Sequence, residues 1–174
     1  MPEIRTATDA DAADMARIYN QAVTRSTATF DTQVQTAEMR VAWLAEHRGD
    51  ARHPVLVAVE DGRVVGWGSL SAWSPRAAYD ATVEVSTYID EKARGRGVGP
   101  ALSGALLEAG EAAGVHAFLA RITATNEPSL KMAKRLGFVE VGRLYEVGIK
   151  FGETLDIVML EKLAGREGVP DVGV

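Results

Sequence analysis

The chain has 174 residues, 47% hydrophobic and 25% charged, which suits one folded domain with an ordinary core and excludes a disordered or collagen-like polymer. It has no cysteine, so disulfides, a thiol nucleophile and cysteine-ligated metal centres are excluded. Nineteen Lys and Arg against 24 Asp and Glu give a formal charge of −5, without the basic footprint that nucleic-acid binding needs.

No apolar run nears the roughly 20 residues of a bilayer span. The first residues, Met1-Pro2-Glu3-Ile4-Arg5, lack the basic-then-apolar order of a signal peptide. The reading is a cytoplasmic protein with no membrane and no nucleic-acid partner.

A short strand is expected at Glu3–Thr6, followed by Thr8 as the cap of a helix that carries acids in its first turn. Met15, Ile18, Tyr19 and Ala22 recur at helical spacing and form an apolar stripe. Residues 26–35 read as a loop. Thr36 then caps a second helix in which Met39, Trp43 and Leu44 share the inward face, ending near His47, where a cation suits the helix dipole. Val55–Val59 and Val64–Leu70 are strands joined by an Asp61-Gly62 hairpin turn.

After a loop at Trp73–Asp80, Thr82–Ile89 alternates. Val83, Val85 and Ile89 face one side, and Thr82, Glu84, Ser86 and Tyr88 face the other. The glycine-rich stretch Arg94–Gly99 opens a helix carrying Leu102, Leu106 and Leu107. A strand at His116–Ile122, a helix at Pro128–Leu136 stopped by Gly137, and strands near Glu140–Val147 and Thr154–Leu160 complete the order. Trp67 and Trp73, near a strand end, hint at exposed aromatics. The prediction is one α+β domain over 1–163 with a mixed sheet, and a loose tail at 164–174 holding three Gly and one Pro.

Arg94-Gly95-Arg96-Gly97-Val98-Gly99 reads as a phosphate cradle, because glycine lets backbone N–H groups approach an anion and the helix start adds a positive dipole end. It is not a dinucleotide fingerprint, whose third glycine would fall on Pro100, and no Gly-Lys-Ser/Thr follows to make a P-loop. Glu84 lies in the strand before the cradle. A partly buried carboxylate there suits a general base working near neutral pH, so Glu84 is the leading acid–base candidate. Asn126 caps the helix after it and, with Ser129, is placed to touch a ligand crossing the sheet. His47, His53 and His116 lack metal-ligand spacing, so no metal is expected.

With these residues on the page, the chain resembles the GNAT acetyltransferases. Arg94–Gly99 looks like their Arg/Gln-x-x-Gly-x-Gly/Ala motif, and Arg135-Leu136-Gly137-Phe138 like their late signature. The segments Ile18-Tyr19-Asn20, Ala28-Thr29-Phe30, Ala78–Glu84 and Asn126–Ser129 resemble the phosphinothricin acetyltransferase branch, as do Gly142-Arg143-Leu144, Lys150-Phe151-Gly152 and Asp156. The likeness spans about residues 3–163. It implies a central mixed, mostly antiparallel sheet flanked by helices on both faces, and acetyl-CoA as acetyl donor.

Residue by residue, the resemblance implies that Arg94, Gly95, Arg96, Gly97, Val98 and Gly99 bind the pyrophosphate. Strand residues Val85, Ser86, Thr87, Tyr88 and Ile89 would carry the pantetheine arm, with Asn126 and Ser129 further along it. Glu84 would take a proton from the acceptor amine. Arg76 and Tyr79 would meet a substrate carboxylate, and Tyr19, Thr29 and Phe30 would line the acceptor pocket, partly across a homodimer contact. One position departs: where relatives carry histidine or tyrosine, this chain has Ala133. The leading expectation is an N-acetyltransferase acting on a small amino-acid-like amine of the phosphinothricin or methionine sulfoximine/sulfone type. The alternatives are a polyamine or protein N-terminal acetyltransferase, and an acyl-CoA-binding protein with little turnover.

Overall fold

Residues 2–166 are described by a computed structural model. Strand β1 (Glu3–Thr6) leads through a 3-10 turn, Asp9–Asp11, into helix α1 (Ala12–Arg25). The buried Asp11 carboxylate organises this join: it accepts from the Thr8 amide at 2.8 Å and the Thr8 hydroxyl at 3.0 Å, and pairs doubly with Arg5 on β1. The Thr8 cap therefore sits on the 3-10 turn, one step before the helix expected there. Met15, Ile18, Tyr19 and Ala22 are all buried, as their spacing predicts.

Helix α2 (Ala37–His47) starts where expected, with the Thr36 hydroxyl accepting from the Met39 amide at 3.2 Å. Its inward face differs from the reading. Met39 is 52% exposed, whereas Arg40 is 2% exposed, its guanidinium 4.7–4.8 Å from the rings of Tyr19, Trp43 and Trp67. A planar cation stacks on aromatic faces, so an arginine took the place assigned to a methionine. His47 is also corrected. It is half-buried, bonded to the Trp43 carbonyl and the Ser71 hydroxyl, and burial lowers its pKa rather than favouring a cation.

Strands β2 (Val55–Glu60) and β3 (Arg63–Ala72) form the hairpin on Asp61-Gly62, both at positive φ. Val65 is an extra residue in β3, since Ala58 pairs with Gly66 while Val59 pairs with Val64. The bulge changes the phase of alternation, so Val64 and Trp67, three apart, both enter the α1/α2 core. Trp67 is thereby buried, not an exposed aromatic.

Strand β4 (Thr82–Ile89), helix α3 (Val98–Ala112), strand β5 (Ala117–Thr123), helix α4 (Glu127–Arg135) and strands β6 (Val139–Lys150) and β7 (Glu153–Leu163) follow, the last two longer than expected. The sheet order is β1-β2-β3-β4-β5-β7-β6, antiparallel except for β4 and β5. Its faces carry separate cores. Leu102, Leu106, Val98 and Ala133 from α3 and α4 pack with Leu70, Val83, Phe118 and Leu160, while Met15, Ile18, Tyr19 and Leu44 from α1 and α2 pack with Val57 and Trp67. The α+β, mixed, mostly antiparallel reading holds. The tail falls outside the described residues from position 167 on.

Candidate active site

The parallel pair creates the site. β4 meets β5 only over Thr82–Glu84 and Ala117–Leu119, and the strands then part. Val85–Tyr88 and Ala120–Thr123 line the resulting cleft, floored by Ser103 and Leu107 of α3 and by Ser129, Met132 and Ala133 of α4. Beyond Glu84, β4 remains paired to β3 on its other edge, through to Ile89 against Gly66. Peptide groups on the cleft edge therefore lose their strand partner while the strand itself stays fixed. Gly68 sets the depth of α3 beneath: a Cβ there would stand 2.7 Å from both the Leu106 Cδ1 and the Ser86 carbonyl oxygen.

Beyond Ile89, the glycine cluster delivers the start of α3. Gly97 caps the helix at φ +83° with no side-chain acceptor, and Gly95 sits at +74°. Only glycine takes such values without strain. Pro100 has no N–H, and the Ala101 amide returns to the Gly97 carbonyl at 3.2 Å, so Val98 and Gly99 supply the donors left at the helix start. Arg94 Nε donates to the Ile89 carbonyl at 3.3 Å. Arg96 is already engaged, 2.5 Å from a Glu60 carboxylate oxygen.

Glu84 stands at the fork of the two strands. Arg121 holds it by two bonds, Nε to Oε1 at 2.7 Å and Nη2 to Oε2 at 2.6 Å. Glu84 pairs with Leu119 in the parallel register, which puts Arg121, two residues on, on the same face. The guanidinium carbon lies 5.6 Å from the Trp73 ring centre, and the pairing raises the already high Arg121 pKa. Reading the sequence missed Arg121.

Tyr19, Thr29 and Asp31 form one bonded group, with the Tyr19 hydroxyl 2.9 Å from the Thr29 hydroxyl and donating to Asp31 at 2.7 Å. Burial pushes the Tyr19 phenol up to about 12 and that of Tyr88 higher still. Tyr88 meets Tyr19 edge-on at 4.9 Å and joins the cleft wall to this group. The buried Thr123 hydroxyl donates to the Thr27 carbonyl at 2.5 Å, bringing Ala28 into the wall. Phe30 packs its ring against Gly148 of β6. Arg76 and Tyr79 are exposed on the β3–β4 loop and line no part of the cleft.

Asn126 caps α4 as expected, its side-chain oxygen accepting from the Ser129 amide at 3.3 Å, and both residues face the cleft. Ala133 is buried in the same wall and presents a methyl group. Among the described residues, no group of three or more His, Asp and Glu is placed to hold a metal.

Known proteins resemble this chain over nearly its whole length. The model of the GNAT acetyltransferase domain matches residues 4–159. The L-amino acid N-acyltransferase MnaT of Escherichia coli is 36% identical over 168 residues, covering 97% of both chains. An L-methionine sulfoximine/L-methionine sulfone acetyltransferase of Salmonella typhimurium is 33% identical, covering 97% of this chain and 98% of its own. A solved phosphinothricin acetyltransferase from Sinorhizobium meliloti, in complex with acetyl-CoA, superposes with a TM-score of 0.90 at 29% identity, over 99% of this chain and 95% of its own. A cleft between parting parallel strands, with Glu84 where they begin to part and a glycine-framed helix start beyond Ile89, is thus set in a chain that belongs to the GNAT acetyltransferase family.

Proposed function

We propose that this protein transfers the acetyl group of acetyl-CoA to the primary amine of a small amino-acid-like acceptor, of the phosphinothricin or methionine sulfoximine/sulfone type. The observation that carries the reading is Glu84 at the fork of β4 and β5, beside Val85 of the cleft wall and paired with Arg121 of the same wall.

The residues present fit the donor. The Val98 and Gly99 amides, with the space beside Gly95 and Gly97 where a Cβ would meet no atom within 4 Å, suit a pyrophosphate, and Arg94 adds charge. Arg96 joins them by exchanging Glu60 for phosphate. Val85, Ser86, Thr87, Tyr88 and Ile89 offer a strand edge to an amide-bearing arm, with Asn126 and Ser129 opposite. Bound there, acetyl-CoA supplies an acyl carbon activated as a thioester.

The chain's own part is to hold the acceptor and manage one proton. Glu84 accepts that proton from the acceptor's ammonium, freeing the nitrogen lone pair. Holding the amine in line contributes as much as about 7–11 kcal/mol in well-oriented cases. Tyr19, Thr29 and Phe30 shape the acceptor side through the 26–35 loop. Two copies pair through β6, whose Leu144, Tyr145, Val147 and Ile149 are exposed, as is Phe151 in the turn after it. No helix among the described residues is long and apolar enough to cross a membrane, in keeping with a cytoplasmic enzyme.

Ala133 supports a second reading, an acyl-CoA-binding protein with little turnover, because this wall offers no titratable side chain from that position. Thiol release from acetyl-CoA in the presence of phosphinothricin, methionine sulfone, common amino acids and spermidine separates the two. Turnover on a carboxylate-bearing amine, falling roughly 10²–10⁴-fold in Glu84→Gln while acetyl-CoA still raises the melting temperature, is the expected result. Binding without turnover on any acceptor selects the second reading.

A further inference from the structure

The Glu84–Arg121 pair is more than the support of a base. A guanidinium carries five N–H donors in a planar fork, and Glu84 takes one from Nε and one from Nη2. Nη1 has no acceptor among the described residues. The Arg121 side chain is 52% exposed against 20% for Glu84, and it lines the cleft where β4 and β5 part. Trp73 backs the guanidinium, limiting the directions in which it presents its free edge.

As a recognition device it matches one class of molecule. An α-amino acid carries an ammonium and a carboxylate on the same carbon. The site carries a carboxylate and a guanidinium side by side, in bidentate contact. Laid against each other, the charges match: ammonium on Glu84, carboxylate on the free Nη1 of Arg121. The amine that must lose a proton is then delivered to the proposed base by the contact that recognises its neighbour. A polyamine lacks the carboxylate and meets Arg121 as a like charge.

We propose that Arg121 is the residue that recognises the acceptor's carboxylate and so sets a preference for α-amino acids over amines without one. The proposal rests on the acetyltransfer reading and moves the role expected for Arg76 to a residue of the cleft wall. Arg76 is exposed on the β3–β4 loop, and among the described residues its side chain forms no ion pair.

The test compares L-methionine sulfone with its carboxamide, which keeps the amine and side chain but removes the negative charge. Wild type, Arg121→Gln, Arg121→Lys and Arg76→Gln are each assayed for turnover. Binding is read in parallel as the melting-temperature shift each compound causes on acetyl-CoA-saturated protein. In Arg121→Gln, KM for the acid rises roughly 10–100-fold while KM for the amide changes less than threefold. The acid's thermal shift falls in step, Arg121→Lys lies between, and Arg76→Gln leaves the acid-to-amide ratio unchanged.

Equal losses for acid and amide in Arg121→Gln overturn the proposal and leave Arg121 as a holder of Glu84. A ratio that moves in Arg76→Gln instead also overturns it, as does a wild type in which the acid gives no greater thermal shift than the amide. Absence of turnover with an intact, Arg121-dependent acid shift overturns the acetyltransfer reading while upholding the recognition.

Discussion

The Lys150 ammonium, at the end of β6, donates to the Thr29 carbonyl at 2.7 Å and to the Ala22 carbonyl at 3.3 Å, with the residue only 4% exposed. It fastens the start of the 26–35 loop to the last turn of α1, and burial lowers its pKa. Lys150→Met removes both bonds and leaves the Thr29 carbonyl to find another donor, whereas the Ala22 carbonyl keeps the Ser26 amide at 3.2 Å. The expected cost is about 1–3 kcal/mol of stability in urea unfolding. Because the loop carries Thr29 and Phe30, KM for the acceptor rises several-fold while acetyl-CoA binding stays within twofold. A variant that loses stability without any change in acceptor KM would separate the loop from acceptor binding.

His47 gives the fold a dependence on acid. Its pKa is lowered from the ordinary 6.5 chiefly by burial, so the folded state resists a proton that the unfolded chain accepts. Above 6.5 both states are neutral and the residue carries no penalty. As pH falls below 6.5, the unfolded state gains the proton first, and stability is lost until the folded-state pKa is passed. Urea midpoints measured from pH 8 to pH 5 are expected to decline less steeply in His47→Gln than in wild type. Parallel curves for the two proteins would show that His47 does not set this slope.

The edge strand β6 places Tyr145 and Ile149 at 71% and 74% exposure, and Phe151 in the turn after it is 60% exposed. Apolar surface of this kind gains about 25 cal/mol for each Å² removed from water, which favours a second copy over solvent. Sedimentation of the wild type is expected at twice the chain mass, and Tyr145→Asp/Ile149→Asp at the chain mass, with the circular dichroism unchanged. A monomeric wild type at tens of micromolar would remove the dimer.

Much of the site was readable because its signals are local. The alternation in Thr82–Ile89, the positive-φ glycines before α3 and the Asn126 cap each depend on residues within a few positions of one another. Arg121 was not readable, because its partner lies 37 positions away and meets it only through the parallel register of β4 and β5. In Ala117–Thr123 a lone arginine gives no sign of what faces it. Arg40 was missed for a related reason: a charged residue on a helix is assigned to solvent unless three aromatic rings, from α1, α2 and β3, are known to surround it. The length of β6 was obscured by register shifts between Glu140 and Gly142 and between Leu144 and Gly148, which break the period of two on which strand recognition rests.

The parting of β4 and β5 also makes the sheet a seamed one. Three residue pairs join its halves at that point, against seven between β3 and β4 and seven between β5 and β7. The β1–β4 panel and the β5–β7 panel are therefore stitched at one corner and otherwise bridged by α3, which packs under both. A molecule that threads the open part of the seam acts as the missing stitches: it satisfies the strand edges that the two panels do not offer each other. Binding along the seam would thus also couple the two panels, across the gap that three paired residues leave open.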